Sequence, residues 1–257
     1  MRPFRSTLFA TSCLALAGVI SAQAETPVEF SSEARFQIDL QVPDAALKAF
    51  IPAGFTLNVA TQGPAKDCNL RLVFIDRVSI NAPDGKPIGK GMNTLAWLVA
   101  PVKDAAGANA QLVVGGLTAD PADAPGPFGN YLAATTRTVQ RSLSSGSGPA
   151  VESQDWVLVA ASGERLEMHI KFERGVGNKG KAADTRFYSA KTPEFVQISR
   201  QEQVLDILKN TTTNPPDRVK EFSLKIGGGS YAKLFDGTQK VLSWDNIVWL
   251  NRTVLLP

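Results

Sequence analysis

The chain has 257 residues and 27 lysines and arginines against 24 aspartates and glutamates, a formal net charge of +3. No lysine or arginine cluster interleaves with aromatic residues, so the electrostatic footprint of nucleic-acid binding is missing. Two cysteines and a single histidine exclude a disulfide scaffold and an ordinary multi-histidine zinc site, and no Cys-x-x-Cys occurs.

The N-terminus reads as a cleavable secretory signal. Arg2 and Arg5 form a basic start, an apolar stretch runs over residues 8–20, and Ala22-Gln23-Ala24 supplies the small-x-small pattern of a cleavage site. The stretch is too short to cross a hydrocarbon core of about 30 Å. Cleavage after Ala24 predicts a periplasmic or secreted protein with no stable membrane insertion. It would remove Cys13, Arg2 and Arg5, leaving 25 basic against 24 acidic residues and one cysteine, Cys68. The remaining residues, 25–257, are long enough for one large core and are expected to form one domain.

From Arg35 the pattern alternates, with Phe36, Ile38, Leu40 and Val42 on one face and Arg35, Gln37, Asp39 and Gln41 on the other, which predicts a half-buried strand. Pro43-Asp44 opens a short helix over residues 45–51, stopped by Pro52-Ala53-Gly54. Residues 70–80 read as a strand and residues 81–85 as a turn. Residues 92–102 and 111–117 predict paired strands, and residues 119–127 a loop. Residues 131–143 fit strand or helix, with helix or a mixture favoured. Residues 156–160 and 166–172 predict a hairpin, and 175–183 is glycine-rich and basic. Residues 195–199, 222–226, 241–242 and 247–255 supply late strands, and Pro215-Pro216 breaks the chain. Many short strands with little helix predict a mainly β (α+β) domain built on a closed or nearly closed sheet.

Several motifs carry little chemistry. His169 sits among charged residues on one strand face, so a solvated strand histidine explains it better than a catalytic triad, and no G-x-S-x-G elbow accompanies it. Gly227-Gly228-Gly229 lacks the Gly-Lys-Ser/Thr of a phosphate loop and predicts a bulge or a tight backbone approach. Gly175 to Gly180 is explained by a hairpin tip, and Arg186 is ordinary at a surface.

The run from Phe36 to Val42, Pro43-Asp44, the short apolar helix and Pro52-Ala53-Gly54-Phe55 resembles the entry to the acetoacetate decarboxylase-like superfamily. Residues 70–80 and the closing segment 219–257, with Gly227 to Gly229 and Leu234-Phe235-Asp236-Gly237, resemble it more loosely. The resemblance implies a single cone-like antiparallel β-barrel or double sheet with a few short helices, a largely apolar cavity and a homo-oligomer; the residues themselves predict no metal site, and no cofactor is expected. In the decarboxylases of this family a lysine forms a Schiff base with the substrate carbonyl, its pKa lowered by desolvation and a neighbouring cation. No lysine lies between Lys103 and Lys171, where that residue is expected, and Lys90 reads as a loop lysine. In its place stand Pro127-Phe128-Gly129-Asn130-Tyr131, which can hydrogen-bond and stack but cannot form an imine.

The family's first-strand arginine would fall near Glu33, and Arg35, two residues on and on the same face, can substitute for it. The expected site therefore has Arg35 holding a carboxylate, Glu33 or Tyr131 moving a proton, and Phe128, Asn130, Tyr131 and Arg35 contacting a small organic ligand. This reads as an exported small-molecule-binding protein that has lost decarboxylation, with non-covalent acid/base chemistry on a small carbonyl or carboxylate compound. The alternatives are a lipocalin-like carrier or envelope accessory protein without catalysis, and a divergent Schiff-base lyase.

Overall fold

The computed structural model describes residues 25–121, 128–209 and 218–257; the signal segment, most of the predicted 119–127 loop and the Pro215-Pro216 break lie outside the described residues. In chain order the elements are β1 (Thr26–Gln41), α1 (Asp44–Lys48), β2 (Thr56–Leu57), β3 (Leu70–Asn81), β4 (Asn93–Lys103), β5 (Asn109–Thr118), β6 (Tyr131–Ser144), β7 (Val151–Ala160), β8 (Arg165–Glu173), β9 (Asn178–Lys179), β10 (Ala183–Ser189), β11 (Val196–Lys209), β12 (Val219–Gly227) and β13 (Lys240–Leu256). Seven strands close a barrel in the order β1-β3-β4-β5-β10-β11-β13 and back to β1. All these pairings are antiparallel except the short parallel seam of β5 with β10. Strands β6, β7, β8 and β12 form an antiparallel sheet outside the barrel, tied to it where Tyr131–Ala133 runs parallel to β5.

Two apolar clusters result. Between barrel wall and outer sheet, Phe36, Ile38 and Leu40 of β1 and Leu72 and Phe74 of β3 pack against Trp156, Leu158, Met168, Ile170 and Phe172. Phe36 and Phe172 have ring centroids 6.2 Å apart, and Phe74 and Trp156 lie at 5.5 Å. Each large side chain fully buried here contributes about 1.5–3 kcal/mol. The second cluster fills part of the barrel lumen with Val73, Ile75, Leu95, Trp97, Val99, Val113, Phe128, Tyr131 and Phe187.

The predicted strands at residues 70–80, 92–102 and 111–117 are present, as is the 156–172 hairpin; α1 is shorter than the sequence suggests. Three expectations change. The strand starting at Arg35 belongs to a longer β1 and is buried on both faces, because closure of the barrel turns its polar face inward: Arg35 is 6% exposed and Asp39 3%. Residues 131–144 are strand β6, not helix; beyond Ala133 it pairs only with β7, and its exposure removes the apolar periodicity. Thr135, Thr136, Thr138 and Val139 favour the extended form. The segments 241–242 and 247–255 are one strand, β13, interrupted by a bulge opposite β1 between Ile247 and Leu250.

The glycine triplet is a close approach, as expected. Gly228, at φ 75°, lies against the Gly163 carbonyl, where any Cβ would overlap backbone. The neighbouring Glu164 carboxylate accepts from Ser230 N at 2.8 Å and Ser230 Oγ at 2.9 Å, locking the β7–β8 turn to the approach to β13.

Candidate functional site

The inward face of β1 carries Glu29, Ser31, Glu33, Arg35, Gln37 and Asp39, and their neighbours in the barrel decide what each can do. Glu33 is fully buried and sits among three guanidiniums. Arg35 Nη2 lies 2.5 Å from its Oε2, and Arg252 and Arg77 approach its Oε1 at 3.2 and 3.4 Å. Ser31 Oγ donates to Oε1 at 2.7 Å. Glu29 pairs with Arg252 at 2.7 Å and with Arg77. Burial alone would raise the Glu33 carboxyl, but Arg252, Arg35 and Arg77 together hold it far below the usual carboxylate range.

Three arginines thus face two carboxylates in a buried cluster, leaving an excess of one positive charge. Removing each ion from water costs several kcal/mol, so such a cluster is weak as a stabilising device and is more readily explained by function. Among the described residues, Arg77 Nη1 and Tyr131 Oη are buried there without a hydrogen-bond partner. Burial also pushes the Tyr131 phenol well above its ordinary value.

Arg35 is the arginine of this cluster that borders the lumen cavity. Its guanidinium stands 5.4 Å from the centroid of the Trp97 ring and lines a lumen cavity of about 270 Å³. Gln37, Arg71, Gln111 and Asp245 share that wall with Val73, Trp97, Val99 and Phe187, so the cavity is at least as polar as it is apolar. That departs from the largely apolar pocket the resemblance implies, because the inward faces of β1, β11 and β13 are polar.

Asp245 of β13 lies opposite Gln37 of β1. Its carboxyl makes no hydrogen bond or ion pair among the described residues, while Arg71 is engaged 3.3 Å from Asp39 and Gln37 Nε2 donates to Asp39 at 3.1 Å. Burial, with the Asp39 charge adding to it, raises Asp245 from 3.8 to about 7.

Of the residues singled out in the sequence, Glu33, Arg35 and Tyr131 come together in the lumen. Phe128 is fully buried behind them, edge-on to Tyr131 at 6.4 Å and to Phe195 at 5.5 Å. Asn130 spends its amide on the Val113 carbonyl at 2.6 Å, and of the five residues Arg35 lines the cavity while Glu33, Phe128, Asn130 and Tyr131 do not. No lysine lines the cavity among the described residues; Lys90 is exposed, 3.4 Å from Asp120. His169 lies on the outward face of β8, between Asp155 at 2.7 Å and Glu221 at 3.4 Å. Within the described residues no group of three or more histidines, cysteines or acids is placed to hold a metal, and no helix is long and apolar enough to cross a membrane.

Sequence reasoning did not single out Arg77, Arg252 and Asp245. The usable sign for the arginines was an isolated guanidinium inside an apolar strand. For Asp245 the bulge hides the pattern: Leu250 and Arg252 face inward before it, and Ile247 and Asp245 after it, so the inward parity switches along β13.

The closed barrel with a second sheet on its flank has the acetoacetate decarboxylase-like fold, as two solved structures show. An acetoacetate decarboxylase-like enzyme from Sphingomonas wittichii RW1 superimposes with a TM-score of 0.51 at 12% identity over 96% of both chains. The enduracididine biosynthesis enzyme MppR, solved with the condensation product of pyruvate and imidazole 4-carboxaldehyde, also gives 0.51 at 12% identity, over 94% of this chain and 92% of that one. At this identity the likeness is one of fold. No family model and no curated protein matches the sequence.

Proposed function

We propose that the chain is an exported protein whose barrel cavity binds a small organic carboxylate, a 2-oxo or 3-oxo acid of a few carbons, and acts on it by non-covalent acid/base chemistry rather than decarboxylation through a Schiff base. The observation that carries this reading is the cluster at the cavity wall, where three guanidiniums face two carboxylates and Arg35 borders the open space. A guanidinium is the side chain best shaped to take a carboxylate bidentately, and in a site shielded from water it does so strongly. A cavity of about 270 Å³ suits a ligand of a few heavy atoms. The pyruvate-derived ligand of MppR supports the same substrate class.

An imine needs an amine, and the cavity wall offers guanidiniums, amides and a carboxyl instead. Export is supported by Arg2, Arg5 and the Ala22-Gln23-Ala24 site, followed almost at once by β1 at Thr26.

The test is calorimetric titration with pyruvate and with acetoacetate. Binding of either one, weakened at least tenfold in Arg35→Gln, supports the reading; no heat with either overturns it. Borohydride added to the complex should leave the protein mass unchanged, and an adduct would restore the lyase reading. Binding with no chemical change in either acid would favour a carrier. Export predicts a periplasmic or secreted form whose first residue is Glu25.

A further inference from the structure

We propose that Asp245 is the group in this cavity that removes a proton from the carbon beside the carbonyl of the bound oxo acid and returns one to it, making the barrel an enolising enzyme. This rests on the reading of the cavity given above and names the residue that performs its chemistry.

The placement comes from strand register. Gln37 of β1 is the direct partner of Asp245, and Arg35 stands two residues along the same strand, also facing the cavity. Such diagonal neighbours are about 7–8 Å apart at the backbone. An oxo acid with its carboxylate on Arg35 therefore extends its carbonyl and adjacent carbon along the wall towards Asp245. The charged groups that face Asp245 are Arg35 and Asp39 from β1 and Arg71 from β3; β11 contributes Gln203 and Leu205, and β5 contributes Gln111.

Arg71 is committed to Asp39, so the Asp245 carboxyl remains unpaired among the described residues and open to the cavity. A carboxyl raised to about 7 has both protonation states populated near neutral pH, which suits a group that must accept and then donate. Glu33, held ionised by three guanidiniums, and Tyr131, with its phenol pushed up by burial, are each confined to one state.

In the step, the Asp245 carboxylate takes a proton from C3 of pyruvate. The C–H electron pair becomes the C2–C3 double bond, and the carbonyl π pair moves onto oxygen, giving the enolate. The negative charge gained by the ligand is the one Asp245 loses on protonation, so the net charge of the cavity does not change. Reversal delivers to C3 whichever hydrogen isotope Asp245 then carries.

The experiment follows the methyl proton signal of pyruvate in D2O with the full chain. Exchange should exceed the buffer rate, rise with pH through a midpoint near 7, and fall at least a hundredfold in Asp245→Asn while pyruvate affinity is not weakened. That affinity also shows that the variant is folded. Binding without exchange, or exchange undiminished in Asp245→Asn, overturns the role of Asp245 and leaves the binding reading standing. Failure to bind either pyruvate or acetoacetate overturns both.

Discussion

Asp245→Asn should stabilise the protein, and by an amount that depends on pH. The folded state raises this carboxyl from 3.8 to about 7 through burial and the Asp39 charge, so between those values the folded chain binds more protons than the unfolded one. Stability attached to the protonated group is then fully present below 3.8 and is lost as pH rises through about 7. At roughly 1.36 kcal/mol per pH unit the loss is about 4 kcal/mol, a ceiling because the cavity admits some water to the carboxylate. Asparagine keeps the shape and removes the charge, so it restores what the ionised form loses. Urea unfolding of both proteins at about pH 4.5 and about pH 8.5 should show a small advantage of the variant at the lower pH and one larger by about 2–3 kcal/mol at the higher. All other titrating groups cancel in the comparison. Equal advantages at the two pH values would show that Asp245 ionises normally, and the acid/base argument would lose its support.

Other changes test the surroundings. Glu33→Gln leaves three buried guanidiniums facing Glu29 alone and should cost about 3–5 kcal/mol in urea unfolding; a loss under about 1 kcal/mol would mean that water reaches the cluster. Cys68 is 1% exposed and its thiol is pushed up to about 12, mainly by burial, so it should resist a disulfide reagent at pH 8 until urea is added. The His169 ring, hydrogen-bonded to Asp155 and Glu221, should titrate above 6.5 by NMR. The stability from those contacts is present below 6.5 and lost as pH rises through the higher folded value. In Asp155→Asn the midpoint should fall back; an unmoved midpoint would show the 2.7 Å contact to be absent in solution.

The alternation in β1 made the strand legible, and Phe36, Ile38 and Leu40 do face the apolar core between barrel and outer sheet. It did not reveal the destination of the polar face. Period-two patterning separates two environments without saying that one is water, and in a closed barrel the second environment is another interior. Polar residues there become legible as a site only when their partners are known, and those partners come from distant sequence: Arg77 from β3 and Arg252 from β13 meet Glu33 of β1. β6 was obscured for the opposite reason, since a strand paired on one edge and exposed over most of its length has no buried face to impose a period.

β13 shows how a local irregularity can decide function. Without the bulge between Ile247 and Leu250, a strict alternation that sends Arg252 and Leu250 inward would send residues 248, 246 and 244 inward as well, and turn Asp245 outward. The bulge reverses the parity, so one strand presents a buried cation to the arginine cluster and an unpaired carboxyl to the cavity wall. In the proposed reading the two groups serve different ends of one small ligand: charge excess for its carboxylate through the cluster that Arg252 and Arg35 share, and a proton-transferring group for its reactive carbon. A variant with one residue of the bulge deleted should keep the strand's pairing at one end while misplacing every inward side chain at the other. Of the properties argued for the cavity, proton exchange should therefore be lost before the buried arginine cluster is.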